Sequence, residues 1–403
     1  MLIFFHFSLF TFHSVSGQEL EDYQNRALQN NPEIQSLNSS IDIAEERINE
    51  ANAFSDTEFG LGYFVSEPET RTGAQKFKVS VRQMLPWFGT VQSRKDYAGS
   101  MVGVEEVDLE IARRQLKLNV SQVYFDIYEL EEKLEVLQQN IDLLEVYRTM
   151  ALNSIEVGKA SAVEVLRLKM RQNDLEEQMK IIRLQLKALN IRFNKLLNIN
   201  DENMEVQDTL IIPMQESENI DLALHPELQR YDKFAESITN SEELNQQESA
   251  PKLGFGLDYV SVQERTDMDF SDNGKDIVMP MVSFSVPIFN KKYRSISRQN
   301  EIRQEQISFD RNAALNDMES RLSSALNERA SARIKFETQS DNLSQARDAE
   351  ELLLKQYETG TIDFDDVLDI QEIQLNIQMN LIEAVSSWFR QDAVVEYLTL
   401  NNQ

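Results

Sequence analysis

The sequence predicts a mainly α-helical chain with a small β part, written twice. Each copy holds a strand hairpin followed by a long antiparallel coiled-coil hairpin. Three observations carry this reading. Four short motifs recur in one order at a nearly constant offset. Two runs of about ten residues in each copy have strand character. The stretches after them step their apolar residues by alternating threes and fours, the mark of a coiled-coil seam. With 12 Gly and 8 Pro in 403 residues, turns are few and regular elements long.

The repeated motifs set the domains. "NPEI" at Asn31–Ile34 returns as "HPEL" at His225–Leu228, and "GLG" at Gly60–Gly62 as "GFG" at Gly254–Gly256, both 194 residues on. "LPWFG" at Leu85–Gly89 answers to "VPIFN" at Val286–Asn290, 201 on. "VGKASAVEVL" at Val157–Leu166 answers to "TGTIDFDDVL" at Thr359–Leu368, 202 on. The copies span 18–200 and 218–400, with an acidic connector at 201–217 that contains Pro213. Residues 1–17 are uncharged and rich in Phe and Leu. They are too short to span a bilayer comfortably and read as a signal peptide without its basic first segment.

Within each copy the elements follow in order. First comes a polar helix with a proline inside its early part, Pro32 or Pro226. Strands follow at about 57–67 and 75–85, joined by "PETRTGA", and at about 252–262 and 277–286, joined by a longer loop turning at Asn273-Gly274. Their length and partial alternation suit tilted membrane strands. Tyr63, Phe64, Trp87, Phe88 and Tyr259 could supply interfacial aromatics. Pro280 inside the last strand calls for a bulge or a late start. Pro86 and Pro287 mark the change from strand to helix.

Long helices are expected at about 89–157 and 163–198, and at about 288–357 and 363–399. The first would be about 100 Å long at 1.5 Å per residue. Its seam runs through Val123, Ile127, Leu130, Leu134, Leu137, Ile141 and Leu144. The seam resumes at Val165, Leu168, Leu175 and Met179, and 202 residues later at Val367, Ile370, Ile377 and Leu381. Gln172 and Gln374 interrupt it at matching places, where a polar residue often fixes register. Ala325, Ala332 and Ala346 let helices of the second copy approach closely. Gly158 and Gly360 mark the reversals at the tips.

Composition excludes several functions. No Cys occurs, which removes disulfides, thiolate metal sites and cysteine lipidation. Three His, two of them in the first 17 residues, leave no histidine-based metal site or Ser-His triad. The loop Asp267–Asp276 lacks the spacing of an EF-hand. No nucleophile elbow or P-loop is present, so neither an enzyme nor a cofactor is expected. A net charge of −28 disfavours nucleic acid and anionic membrane surfaces. No later stretch is long and apolar enough for a transmembrane helix, so entry into a membrane would be by strands. Four strands cannot close a barrel alone, and open edges in hydrocarbon cost several kcal/mol per unmet group by rough estimate. Such a chain must oligomerise. The alternative is a periplasmic coiled-coil scaffold or adaptor that never enters a membrane.

The prolines in "LPWFG" and "VPIFN", the glycine tips followed by "VEVL" and "DVLD", the "NPE/HPE" helix start and the duplicated plan together resemble the TolC outer-membrane factor family, over about 19–400. That resemblance implies a homotrimer in the outer membrane of a Gram-negative bacterium. Twelve strands would form one barrel in the lipid, and twelve helices a tunnel through the periplasm. The trimer would be the exit duct of a tripartite efflux pump or type I secretion system, joined to a periplasmic adaptor and an inner-membrane transporter of RND or ABC type. Matching "DVLD" places Asp366 and Asp369 as carboxylate rings at the pore constriction, one helical turn apart. Rings of this kind favour cations and raise one another's pKa in a shut gate. Asp363 and Asp365 would extend the acidic mouth or cap the helix start. The family often has a basic residue two positions after the tip glycine. Ala160 and Ile362 stand there, which leaves Gly158, Lys159, Gly360 and Thr361 as the tip turns and adaptor-docking residues.

Overall fold

A computed structural model of the chain describes residues 18–156, 161–200, 204, 206, 209–214, 222–267, 271–362 and 364–399. The first 17 residues, read above as a signal peptide, the tip residues Gly158 and Lys159, the aspartate Asp363 and most of the connector lie outside the described residues. The elements in order are α1 (Gln18–Asn30), α2 (Pro32–Ala51), β1 (Glu58–Tyr63), β2 (Glu69–Thr70), β3 (Gly73–Leu85), α3 (Thr90–Glu156), α4 (Ala162–Leu197), α5 (Pro226–Glu248), β4 (Lys252–Gln263), β5 (Ile277–Ser285), α6 (Lys292–Glu358) and α7 (Phe364–Leu398).

Helix predominates, beside one small sheet. Two details differ from the sequence expectation. Pro32 and Pro226 do not lie within a helix; each opens one, α2 and α5. At the first helical position the missing N–H is no loss and the fixed φ is already helical. The Asn31 side chain caps α2 by accepting from the Glu33 amide at 2.9 Å. Pro280 needs neither a bulge nor a late start. β5 runs unbroken through it, with Leu257 opposite Pro280 and no register shift. β5 is an edge strand of this sheet, where a residue without an N–H is tolerated.

The chain divides into two compact units. One comprises the described residues of Met1–Ser36, Glu110–His225 and Leu315–Gln403; the other Leu37–Leu109 and Pro226–Ala314. The second unit holds the sheet. Its order is β1-β3-β4-β5, all antiparallel, with β2 on β3. The strand pairs of the two copies therefore join through β3 and β4, along a ladder from Ala74↔Gln263 to Leu85↔Leu253 with one shift between Gln75 and Phe77. Gly60 faces Ser80, and its repeat counterpart Gly254 faces Ser283. A Cβ on either glycine would collide with the serine hydroxyl. In the same unit α5 is tied to α6, with the Asn245 amide donating to the Tyr293 carbonyl and the Ser297 hydroxyl, each at 3.0 Å.

The first unit is helical. Its core gathers Leu137, Leu144, Tyr147 and Ala151 from α3, Leu168, Leu175 and Met179 from α4, and Phe364, Val367 and Leu375 from α7. The alanines Ala325, Ala332 and Ala346 of α6 are buried. Both seam glutamines are buried and bonded. Gln172 donates to Glu145 at 3.2 Å. Gln374 donates to the Ala346 carbonyl and to Glu350, each at 2.9 Å. His225 is fully buried, with Nε2 3.0 Å from the Tyr397 carbonyl in the last turn of α7. It ties down a helix end, which is a structural task.

The α6–α7 reversal is fixed by one glycine. Gly360 has φ 75°, the Gly360 amide bonds the Tyr357 carbonyl and the Thr361 amide bonds the Gln356 carbonyl, each at 2.9 Å. This pair of bonds is the Schellman closure, and its left-handed residue is nearly free only as glycine. A Cβ there would meet nothing within 4 Å, so the cost of Gly360→Ala is conformational alone. It should destabilise the fold by about 1–2 kcal/mol, read as a lowered melting temperature, without changing the helix content.

Candidate functional site

The sheet has two chemically different faces, because side chains alternate along each strand. One face carries Phe59, Leu61 and Tyr63 on β1, opposite Val81, Val79 and Phe77 on β3. Across β4 it continues through Leu253, Phe255, Leu257 and Tyr259, and across β5 through Phe284, Val282, Pro280 and Val278. Its polar members are Gln83, beside Phe255 near one end, and Ser261, opposite Phe77 near the other. These groups are not packed away: Phe59 is 76% exposed, Leu61 85% and Phe284 66%. An exposed apolar face of this breadth is not stable in water and marks contact with lipid or protein.

The other face carries Glu58, Gly60, Gly62, Lys78, Ser80, Arg82, Gly254, Gly256, Asp258, Ser283 and Ser285, with methionines among them and Val260 and Ile277 toward one end. Lys78 pairs with Asp258, whose side chain is 1% exposed. A buried carboxylate needs such a cation to offset its desolvation. Apolar on one face, polar and small on the other, is the pattern of a strand between lipid and a watery lumen. No helix among the described residues is long and apolar enough to cross a membrane.

Both proline joints lie at the same end of this sheet, since β3 and β5 run in the same direction. Pro86 links β3 to α3 and Pro287 links β5 to α6. The residues beside them stay exposed: Phe88 85%, Ile288 75% and Phe289 97%.

The helical tip lies in the other unit. α7 begins at Phe364, which is fully buried between Tyr147 and Tyr357 with ring centroids 5.5 and 4.9 Å away. This anchor sets the rotation of the first turn of α7. Asp366 and Asp369 are left exposed. Asp365 points to α4 and pairs with Arg167. The hydrogen bond and charge of Asp365, with a smaller push from Asp369, hold the Arg167 guanidinium above its ordinary pKa. Arg171 reaches Glu372 at 3.6 Å. Asp369 and Glu372 line a small cavity of about 130 Å³ with Asn140, Arg171 and Gln371. Asp365 is thus one half of an ion pair between the two copies and not simply a helix cap. Both pairs are exposed enough that each contributes only about 0–1 kcal/mol; their effect is on where the helices stand. Thr361 is exposed at the turn, its hydroxyl 2.8 Å from that of Thr359.

A denser polar cluster sits on the same helices. Glu350 accepts from the Tyr147 hydroxyl at 2.6 Å, from Gln374 at 2.9 Å and from Gln371. Burial, then the bond to Glu350, pushes the Tyr147 hydroxyl far above its ordinary pKa, so it stays a neutral donor. Sequence reasoning passed over Arg167, Arg171, Glu372 and Glu350. Their only signal was a pair of arginines one turn apart in an acidic chain.

Comparison with known proteins agrees with this geometry. The profile of the outer membrane efflux protein family matches residues 24–198 and 222–395, one segment for each copy. No curated protein sequence matches the chain. Among solved structures the fold is similar to that of CusC, described as forming a transmembrane channel, with TM-score 0.79 at 12% identity over 95% of this chain and 92% of that one. It is similar to the outer membrane protein VceC of Vibrio cholerae, with TM-score 0.73 at 15% identity over 94% and 96%. It is similar also to the MtrE outer membrane channel of Neisseria gonorrhoeae in its open state, with TM-score 0.68 at 15% identity over 95% and 90%. The chain belongs to the outer membrane efflux protein family and is an outer-membrane protein.

Proposed function

We propose that three copies of this chain close into one passive exit duct, and that an adaptor and an inner-membrane transporter of RND or ABC type feed it as part of a tripartite efflux pump or type I secretion system. The observation that carries this reading is the sheet: lipid-compatible on one face, polar on the other, and open at both the β1 and β5 edges. Unmet edge groups are intolerable in hydrocarbon, so the edges must be joined to further strands. Four strands from each of three copies make a twelve-stranded barrel. The family is one of channel proteins, which supports conduction over catalysis. The long helical hairpins are the material for a periplasmic tunnel, and outer-membrane lipid is what the apolar face meets.

Asp366 and Asp369 then ring the periplasmic mouth. Arg167 and Arg171 make their ion pairs with Asp365 and Glu372, and Asp366 and Asp369 stay exposed. Six carboxylates around one axis favour cations. Tip residues Gly158, Lys159, Gly360 and Thr361 face the adaptor. The test is reversal potential and conductance in a planar bilayer under a salt gradient, wild type beside Asp366→Ala/Asp369→Ala. Lower cation preference and higher conductance in the double variant are expected. Unchanged values would remove these residues from the constriction.

A further inference from the structure

Within one chain, α7 of the second copy meets the first copy at five polar positions. Asp365 pairs with Arg167 and Glu372 with Arg171. Gln378 accepts from the Asn140 amide at 3.4 Å, and the Ser386 hydroxyl donates to the Phe125 carbonyl at 2.8 Å. Arg390 donates to Asp126 and Glu129, each at 2.8 Å. The repeat offset along these helices is 202, since Gln374 stands where Gln172 stands in the first copy. Moved back by that offset, the five positions fall on α4 at Val163, Met170, Glu176, Leu184 and Ala188. Four are apolar, and they face solvent: Val163 is 54% exposed, Met170 66% and Leu184 70%.

A ring of three chains, each with two copies of one plan, has six near-equivalent junctions. Three lie inside chains and three between them. The face that α7 turns to its own first copy is therefore the face that α4 turns to the neighbouring chain. The other side of the contact follows by the same shift. Arg167 and Arg171 become Asp369 and Ile373, Asn140 becomes Asn342, Phe125 becomes Asn327, and Asp126 and Glu129 become Glu328 and Ser331. Of these Ile373 alone is apolar, and it is 50% exposed near the start of α7. Met170, 66% exposed on α4, therefore falls opposite the exposed Ile373.

We propose that at the seam between copies α4 packs against the second copy of the next chain with Met170 meeting Ile373, an apolar contact where the matching junction inside each chain carries the Arg171–Glu372 ion pair. The proposal rests on the three-copy duct and adds which surface joins the copies and by what chemistry. Salt screens the Arg171–Glu372 pair and leaves a Met170–Ile373 contact intact, so these two matching contacts at the tip respond differently to the same solution.

The chain lacks cysteine, so Met170→Cys/Ile373→Cys carries only the two introduced thiols. A short bis-maleimide suits the test better than oxidation, because a disulfide demands a closer Cα approach than side chains of this length guarantee. The detergent-purified protein is treated and run on denaturing gels. Bands of two and three linked chains are expected, with little product from either single variant. Arg171→Cys/Glu372→Cys should link within one chain and give no ladder, which verifies a folded tip. Three-chain mass by light scattering with only single-chain bands from the 170/373 pair would overturn the seam and leave the duct standing. Single-chain mass for the wild type would overturn both.

Discussion

Leu257→Arg is expected to keep the chain out of the membrane. Leu257 lies mid-strand on the apolar face, opposite Val81 on β3 and Pro280 on β5, and is 47% exposed. A guanidinium there would meet hydrocarbon. The cost on the lipid face of a barrel is about 2–4 kcal/mol at the midplane, borne by every chain of the assembly. Met279 is the control. It stands on a neighbouring strand on the opposite face and is 44% exposed. Met279→Arg adds the same side chain toward the lumen, where water solvates it. Flotation with lipid vesicles separates the two: Leu257→Arg should stay in the soluble or aggregated fraction and Met279→Arg should float with the wild type. Equal behaviour of the two would mean that the apolar face does not meet lipid.

Glu350→Ala is expected to be among the most damaging changes in the helical unit. Its carboxylate is the shared acceptor for Tyr147 on α3 and for Gln371 and Gln374 on α7. Removing it takes this acceptor from Tyr147 and Gln371, while Gln374 keeps the Ala346 carbonyl. A buried donor without a partner costs about 1–3 kcal/mol, and the losses overlap because the groups form one network. A total of about 3 kcal/mol is expected, as a clear drop in melting temperature by circular dichroism. Glu350→Gln keeps an acceptor oxygen and should recover part of it. If Glu350→Ala melts with the wild type, the cluster is wet and contributes little.

Much of this was legible in the sequence, and the reason is duplication. A heptad seam read once is ambiguous. Read twice at the same offset, with Gln172 and Gln374 at the same step, it fixes both register and the pairing of helices. The alternation of β1, β3, β4 and β5 was legible for the same reason. Two features were not. Pro32 and Pro226 were placed inside helices because the pattern on both sides is polar and helical, and only the Asn31 cap shows where one helix stops and the next begins. The link between Asp365 and Arg167 was hidden because it joins residues 198 apart on helices from different copies. Which aspartates are left exposed depends on the rotation of α7 about its axis, which is set by Phe364 packing between two tyrosines. The aspartate cluster itself was plain; how its members divide between an ion pair and open solvent was not.

The central claim is that this chain forms a pore through a membrane with its strands. The most direct test is single-channel recording of the purified wild-type protein in a planar bilayer. Discrete, uniform conductance steps, cation-preferring and scaling with the number of inserted assemblies, are the predicted result. Folded three-chain protein that adds no conductance at any concentration would contradict it.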